Sequence, residues 1–172
     1  MVEEAATSAV TDSFVRKVCE RLLEAFSKVF TENLVSLVLF GSYARFEAKC
    51  SSDVDVLLVL EEVPDNRFEL HKKLDEVEVR LKPLYKELGS MGYTPVLSPI
   101  VLDRKIAATF RPIYLDIVED GVIIYDKGGF FSATLRKLKV KLDELCAKRV
   151  RVGKKWVWIL KRDYRFGEVI EI

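Results

Sequence analysis

Along residues 15–30 the apolar positions Val15, Val18, Cys19, Leu22, Leu23, Phe26, Val29 and Phe30 recur every three or four residues, the period of a helix with one buried face. Thr11, Asp12 and Ser13 precede this stripe and are the residues expected to cap its first turn. Leu34 to Phe40 and Val54 to Leu60 are short runs rich in Val and Leu, the first stopped by Gly41 and the second by acidic residues and Pro64, and both predict buried strands. Over residues 67–88, Leu74, Val77, Leu81, Leu84 and Leu88 return to helical spacing, with Gly89 and Gly92 as the stop. Residues 94–102 have strand character, but Pro95 and Pro99 each remove a ladder donor, so the strand belongs at an edge or carries a break. Residues 104–119 are helical in pattern, with Pro112 breaking the helix or opening a new one. A short strand at 122–125, an amphipathic helix at 130–145 and two strands at 150–160 and 166–172, joined by a polar turn, complete the chain.

Composition narrows the chemistry. The chain has 172 residues, 49% of them hydrophobic, enough for one domain with a real core. No apolar run approaches the roughly 18 to 20 residues of a membrane span, and residues 1–10 lack a basic-then-apolar leader pattern, so a cytoplasmic protein with no membrane partner is expected. Three scattered cysteines at 19, 50 and 146 form no CxxC pair and suggest neither disulfides nor zinc. His71 is the single histidine, which argues against His-based metal sites and against a Ser/His/Asp hydrolase. Any catalysis must therefore run on carboxylates. The absence of glutamine and the 32% of charged residues fit a protein that works at high temperature.

Candidate carboxylates sit in the stretch Phe40-Gly41-Ser42-Tyr43-Ala44-Arg45, followed after Cys50-Ser51-Ser52 by Asp53-Val54-Asp55-Val56. A strand, a Gly-Ser turn, a short helical start and an Asp-x-Asp strand follow one another. Glycine lets the backbone approach a phosphate, exposed N–H groups after the turn can bind its oxygens, and the Ser42 hydroxyl adds a donor. In extended chain, residues two apart share a face, so Asp53 and Asp55 present both carboxylates together while Val54 and Val56 enter the core. Two aligned carboxylates repel. A hard cation such as Mg²⁺ relieves the repulsion and bridges to triphosphate oxygens, which implies a metal–nucleotide complex.

Gly41-Ser42, ten intervening residues and Asp53-x-Asp55 resemble the GSx10DxD signature of the polymerase β-like, or minimal, nucleotidyltransferases. The resemblance covers roughly residues 11–60, with a looser likeness of residues 122–172 to small archaeal-type members. It implies an α/β (α+β) fold of the polymerase β palm type, a small mixed sheet backed by helices with a C-terminal helix and β-hairpin. Residues 1–128 would form the core and 129–172 an extension of the same domain. It also implies that Gly41 and Ser42 hold the donor's terminal phosphates, with Arg45 as a further phosphate ligand, and that Asp53 and Asp55 bind Mg²⁺ or Mn²⁺ at the α-phosphate of ATP or another NTP. An acceptor hydroxyl of unknown identity would then displace pyrophosphate, most plausibly receiving AMP.

Active members of that family carry a third carboxylate on a neighbouring strand. The segment expected to supply it places Ser98 in its middle and Asp103 only at its end, where Asp103 is also positioned to cap the following helix. With two carboxylates a metal and a nucleotide can still bind, but general-base assistance, worth about 10²- to 10⁴-fold, is then missing. The alternative expectation is a nucleotide-binding or interaction module of low or no turnover, such as an antitoxin, because family members of this size often act beside a separate helical HEPN-type toxin.

Other features have plainer readings. Leu74, Val77, Leu81 and Leu84 are too few heptads for a dimer seam and are expected in the core, as are Phe130, Phe131 and Leu135. Lys148, Arg149, Arg151, Lys154, Lys155, Lys161, Arg162 and Arg165, interleaved with Trp156, Trp158 and Tyr164, make the tail the most basic region and raise nucleic acid as a partner. The alternation of Trp156 and Trp158 with Val157 and Ile159 suits a packed strand with a solvated basic rim better. Cys50 has nothing nearby to activate its thiol, and His71 is expected on a solvated helix face.

Overall fold

A computed structural model describes residues 2–153 and 155–161. Its centre is a four-stranded sheet in the order β3-β2-β1-β4, formed by β1 (Leu34–Phe40), β2 (Val54–Leu60), β3 (Leu97–Asp103) and β4 (Val122–Asp126). β1 pairs antiparallel with β2 and with β4, while β2 and β3 run parallel. The sheet is thus mixed. β1 is buried at every position because helices cover both of its faces, which is why it reads as a continuous apolar run rather than an alternating one.

One face packs against α1 (Val2–Phe30) and α3 (Arg67–Ser90): Val18, Leu22, Phe26, Val77, Leu81 and Leu84 meet Leu37, Leu39, Val56 and Leu58 in one core cluster. The seam-like leucines of α3 are therefore ordinary core. The other face packs against α5 (Tyr114–Asp120) and α6 (Phe130–Glu144), where Tyr114, Phe131, Leu135 and Leu138 meet Val38, Leu57 and Val59. The rings of Tyr114 and Phe131 meet edge to face, 5.1 Å between centroids.

Several expected boundaries move. α1 begins at Val2 rather than at Thr11 to Ser13, so those residues lie inside the helix; Glu3, Glu4, Ala5 and Ala6 are good helix formers that carry it upstream. Pro112 does separate two helices, α4 (Arg104–Ala107) and α5. Pro99 sits within β3, and β3 is an edge strand, the one place where a missing donor is tolerated. Residues expected to form one strand at 150–160 are split into an antiparallel hairpin, β5 (Lys148–Val152) and β6 (Lys155–Ile159), by Gly153 at φ +62°. The second expected strand, 166–172, lies outside the described residues, as do Lys154, Arg162, Tyr164 and Arg165. No described helix is long and apolar enough to cross a membrane.

Candidate nucleotide site

The site forms where β1 ends and β2 begins. Phe40 pairs with Asp55, so the turn leaving β1 at Gly41 lies beside the first residues of β2. Gly41 adopts φ +73°, a left-handed conformation, and a Cβ there would overlap the Asp55 carboxylate oxygen Oδ2. Both facts disfavour any side chain at position 41. The turn and the Asp55 carboxylate are thereby set edge to edge.

A single helical turn, α2 (Gly41–Ala44), follows, and its backbone closes through the Arg45 N–H to the Gly41 carbonyl at 3.2 Å and the Glu47 N–H to the Ser42 carbonyl at 2.8 Å. Tyr43 anchors this turn from below: it is 1% exposed, and its ring stacks on Phe14 of α1 with centroids 6.1 Å apart. Burial raises the Tyr43 phenol above its ordinary pKa, with Tyr93 and the Asp53 charge adding to the effect, so the phenol stays protonated beneath Asp53. The ten-residue spacer is pinned at two further points, by the Thr94 N–H to the Cys50 carbonyl at 2.7 Å and the Val54 N–H to the Val96 carbonyl at 2.8 Å. These bonds tie the approach to β2 to the approach to β3.

Val54 and Val56 are 1% and 0% exposed in the core under α1 and α3, which turns Asp55, and by alternation Asp53, toward the opposite face. Asp53 is exposed and Asp55 partly buried. Burial raises the Asp55 carboxyl above the usual carboxylate range; the Ser98 hydroxyl opposes this, the Asp53 charge adds to it, and the Arg45 charge opposes it. Neither aspartate has an ion pair among the described residues. Two carboxylates close enough to repel, without a cation partner and beside a left-handed glycine turn, are a donor set of the kind Mg²⁺ or Mn²⁺ takes.

Arg45 is brought to the rim rather than left in solvent. It contacts Glu47 at 3.2 Å and Asp120, the last residue of α5, at 3.7 Å. Asp120 in turn holds Arg149 of β5 at 2.6 Å, and Arg149 reaches Asp116 at 3.4 Å and lies 4.6 Å from the centre of the Trp156 ring. The basic tail is thus partly neutralised where it meets the core, and Trp158 packs against the second core cluster.

Asp103 is not part of this arrangement. It pairs with Leu60, five residues along β2 from Asp55, or about 16 Å at the rise of a strand. Its carboxylate accepts the Ile106 N–H at 2.7 Å and caps α4. The residue that does stand across from Asp55 is Ser98, its register partner on β3. Tyr43, Ser98 and Asp120 are the contributors that sequence reasoning left without a role at the site. The Asp-x-Asp spacing is local, whereas the register of β3 and the approach of α5 are not.

Comparison with known proteins agrees with the motif. Residues 19–115, more than half of the chain, match the nucleotidyltransferase domain family. A Methanocaldococcus jannaschii protein named "Putative protein adenylyltransferase MJ1305" is 28% identical over 130 residues, 74% of this chain and 83% of that protein. A second from the same organism, "Putative protein adenylyltransferase MJ0141", is 31% identical over 84 residues, 49% of this chain and 75% of that protein. Among solved structures, a toxin–antitoxin complex with AMP-PNP superposes with a TM-score of 0.42 at 17% identity, covering 73% of this chain and 90% of that one. A Shewanella oneidensis complex of a tri-AMPylated HEPN toxin with an MNT antitoxin gives 0.34 at 14% identity, covering 78% and 91%. The family match spans the Gly-Ser turn, both aspartates and Ser98, and the chain belongs to the nucleotidyltransferase domain family.

Proposed function

We propose that this chain transfers AMP from ATP to a hydroxyl of a protein acceptor. The observation that carries the reading is the contact between Gly41 and Asp55, which sets a side-chain-free turn directly against a carboxylate with no ion pair among the described residues. Gly41 and Ser42 would cradle the terminal phosphates, with Arg45 moving from Asp120 onto a phosphate oxygen. Asp53 and Asp55 would hold Mg²⁺ or Mn²⁺, which when bound supplies neutralisation of the triphosphate charge. The acceptor oxygen bonds to the α-phosphorus, the bond from that phosphorus to pyrophosphate breaks, and the acceptor's proton passes to water. Protein is favoured as the acceptor class because both Methanocaldococcus relatives are named for protein adenylyltransferase activity.

The test is incubation with α-labelled ATP, Mg²⁺ or Mn²⁺ and candidate acceptor proteins, a HEPN-type protein foremost because the motif's family implies one. Label on the acceptor with stoichiometric pyrophosphate supports the reading, and neither product with any acceptor counts against it. A second reading, a nucleotide-binding partner module without turnover, draws on a serine rather than an acid standing across from Asp55 on β3. It predicts stable co-purification with the partner and nucleotide binding without label transfer.

A further inference from the structure

We propose that Ser98 occupies the position of a third metal-binding carboxylate, and that the chain consequently holds one divalent ion at Asp53 and Asp55 rather than two. The inference rests on the metal–nucleotide reading given above. Ser98 and Asp55 are register partners in the parallel β2–β3 pair. Paired residues of neighbouring parallel strands sit about 4.8 Å apart with side chains on the same face, so a carboxylate at position 98 would lie against that of Asp55. The serine hydroxyl is in that place instead, hydrogen-bonded to the Asp55 side chain.

Charge then limits the metal count. Two-metal sites hold their ions about 3.5 to 4 Å apart; the triphosphate supplies oxygens to the ion that accompanies it, so a second ion depends on protein anions beyond those the first already uses. Here the donors are two carboxylates, and among the described residues no group of three or more His, Cys, Asp or Glu side chains is placed to hold a metal. Asp103, the acid nearest in sequence on β3, is engaged in capping α4 at the other end of the strand. A neutral hydroxyl cannot balance a second divalent charge. What Ser98 can do is orient the Asp55 carboxylate through its hydrogen bond, which makes it a positioning residue.

Mn²⁺ titration with a nonhydrolysable ATP analogue, read by calorimetry and by electron paramagnetic resonance, decides the matter. The native chain should retain one Mn²⁺ per nucleotide with no spin-coupled pair. Ser98→Asp should retain two with the signature of a coupled pair. Ser98→Ala should retain one at several-fold weaker affinity, and Ser98→Thr should restore the native value. Two ions in the native chain, or a single ion in a folded S98D protein, overturns the proposal; if S98D fails to fold, the native count decides alone. Retention of no Mn²⁺ by the native chain with nucleotide present is a separate outcome that removes the metal–nucleotide reading itself.

Discussion

The two ends of the sheet hold acidic residues in opposite conditions. At the end where β1 leaves and β2 enters, Asp53 and Asp55 face each other's charge without an ion pair among the described residues, and Asp55 is held above its ordinary pKa by burial. At the other end Asp103, Glu61 and Asp126 each have a structural partner. Asp103 caps α4, Glu61 holds Arg104 at 2.9 Å, and Asp126 accepts from the N–H groups of Phe131 and Ser132, both at 2.9 Å, and from the hydroxyls of Ser132 at 2.6 Å and Ser36 at 2.7 Å. Burial alone would push the Asp126 carboxyl up, yet these bonds hold it below the usual range. A broad depression lined by Asn33, Glu61, Asp65, Lys73, Asp103 and Arg104 lies at this end, away from the Gly-Ser turn. Asp103, Glu61 and Asp126 are tied into the fold, whereas Asp53 and Asp55 have no ion pair among the described residues.

The largest effect should come from neutralising the unanswered pair. Asp53→Asn and Asp55→Asn should each lower transfer by at least on the order of 10²- to 10³-fold, the scale of losing one preorganised charge contact in a reaction centre. The stability of D55N moves the other way. A carboxyl whose folded pKa is raised contributes stability that is complete below the unfolded aspartate value and is lost as pH rises through the folded one. At neutral pH the Asp55 charge therefore burdens the fold. D55N should melt above the native protein there in metal-free buffer, with the margin closing as pH falls through the aspartate range. A D55N protein that melts lower at neutral pH breaks the comparison at its functional end.

Asp126→Ala should show the reverse pattern. It removes a charged acceptor from four donors, among them the hydroxyl of the fully buried Ser36, and should cost about 2 to 3 kcal/mol in denaturant unfolding. Because the folded pKa of Asp126 is lowered, its contribution is present above the unfolded aspartate value and disappears as pH falls through the folded one. The native-to-mutant difference should accordingly shrink in acid, opposite to the trend for D55N. ATP affinity should be unchanged wherever the variant is folded.

Gly41→Ala probes the site without touching a charge. The left-handed backbone costs a residue with a side chain about 1 to 2 kcal/mol, and the new methyl would also displace the Asp55 carboxylate. Loss of nucleotide affinity beyond what the melting shift accounts for is the expected signature. An alanine variant with native affinity would show that the Gly41–Asp55 contact does not shape the site.

Local features of this fold were legible in the chain. β1 and β2 are visible because both faces are covered, and the Gly-Ser and Asp-x-Asp elements because their spacing reflects one turn and one strand start. Long-range pairings were not. That Ser98 rather than Asp103 stands across from Asp55 depends on the register of a parallel pair separated by all of α3. The Arg45–Asp120–Arg149 chain joins three distant segments through one carboxylate at a helix end. The hairpin turn was hidden because Val150 to Leu160 alternates like a single strand, and only Gly153, at a left-handed φ, marks the reversal.

Asp103 gives the smallest effect and the sharpest contrast with Asp55, since the two lie on adjacent strands of the same sheet. Asp103→Ala removes the cap from a helix of one turn, whose Ile106 N–H loses its acceptor but lies near solvent, as Ile106 is 40% exposed. The cost should be about 1 kcal/mol, the usual scale for a lost cap. Asp103→Asn, which keeps an acceptor oxygen, should recover most of it. Both variants should transfer AMP and bind Mn²⁺ as the native chain does, because about 16 Å of strand separates position 103 from Asp55. If D103A instead lost metal while D103N kept its stability, the carboxylate would be serving the site from a distance that direct ligation cannot span, and the division between answered and unanswered acids would no longer explain where this chain works.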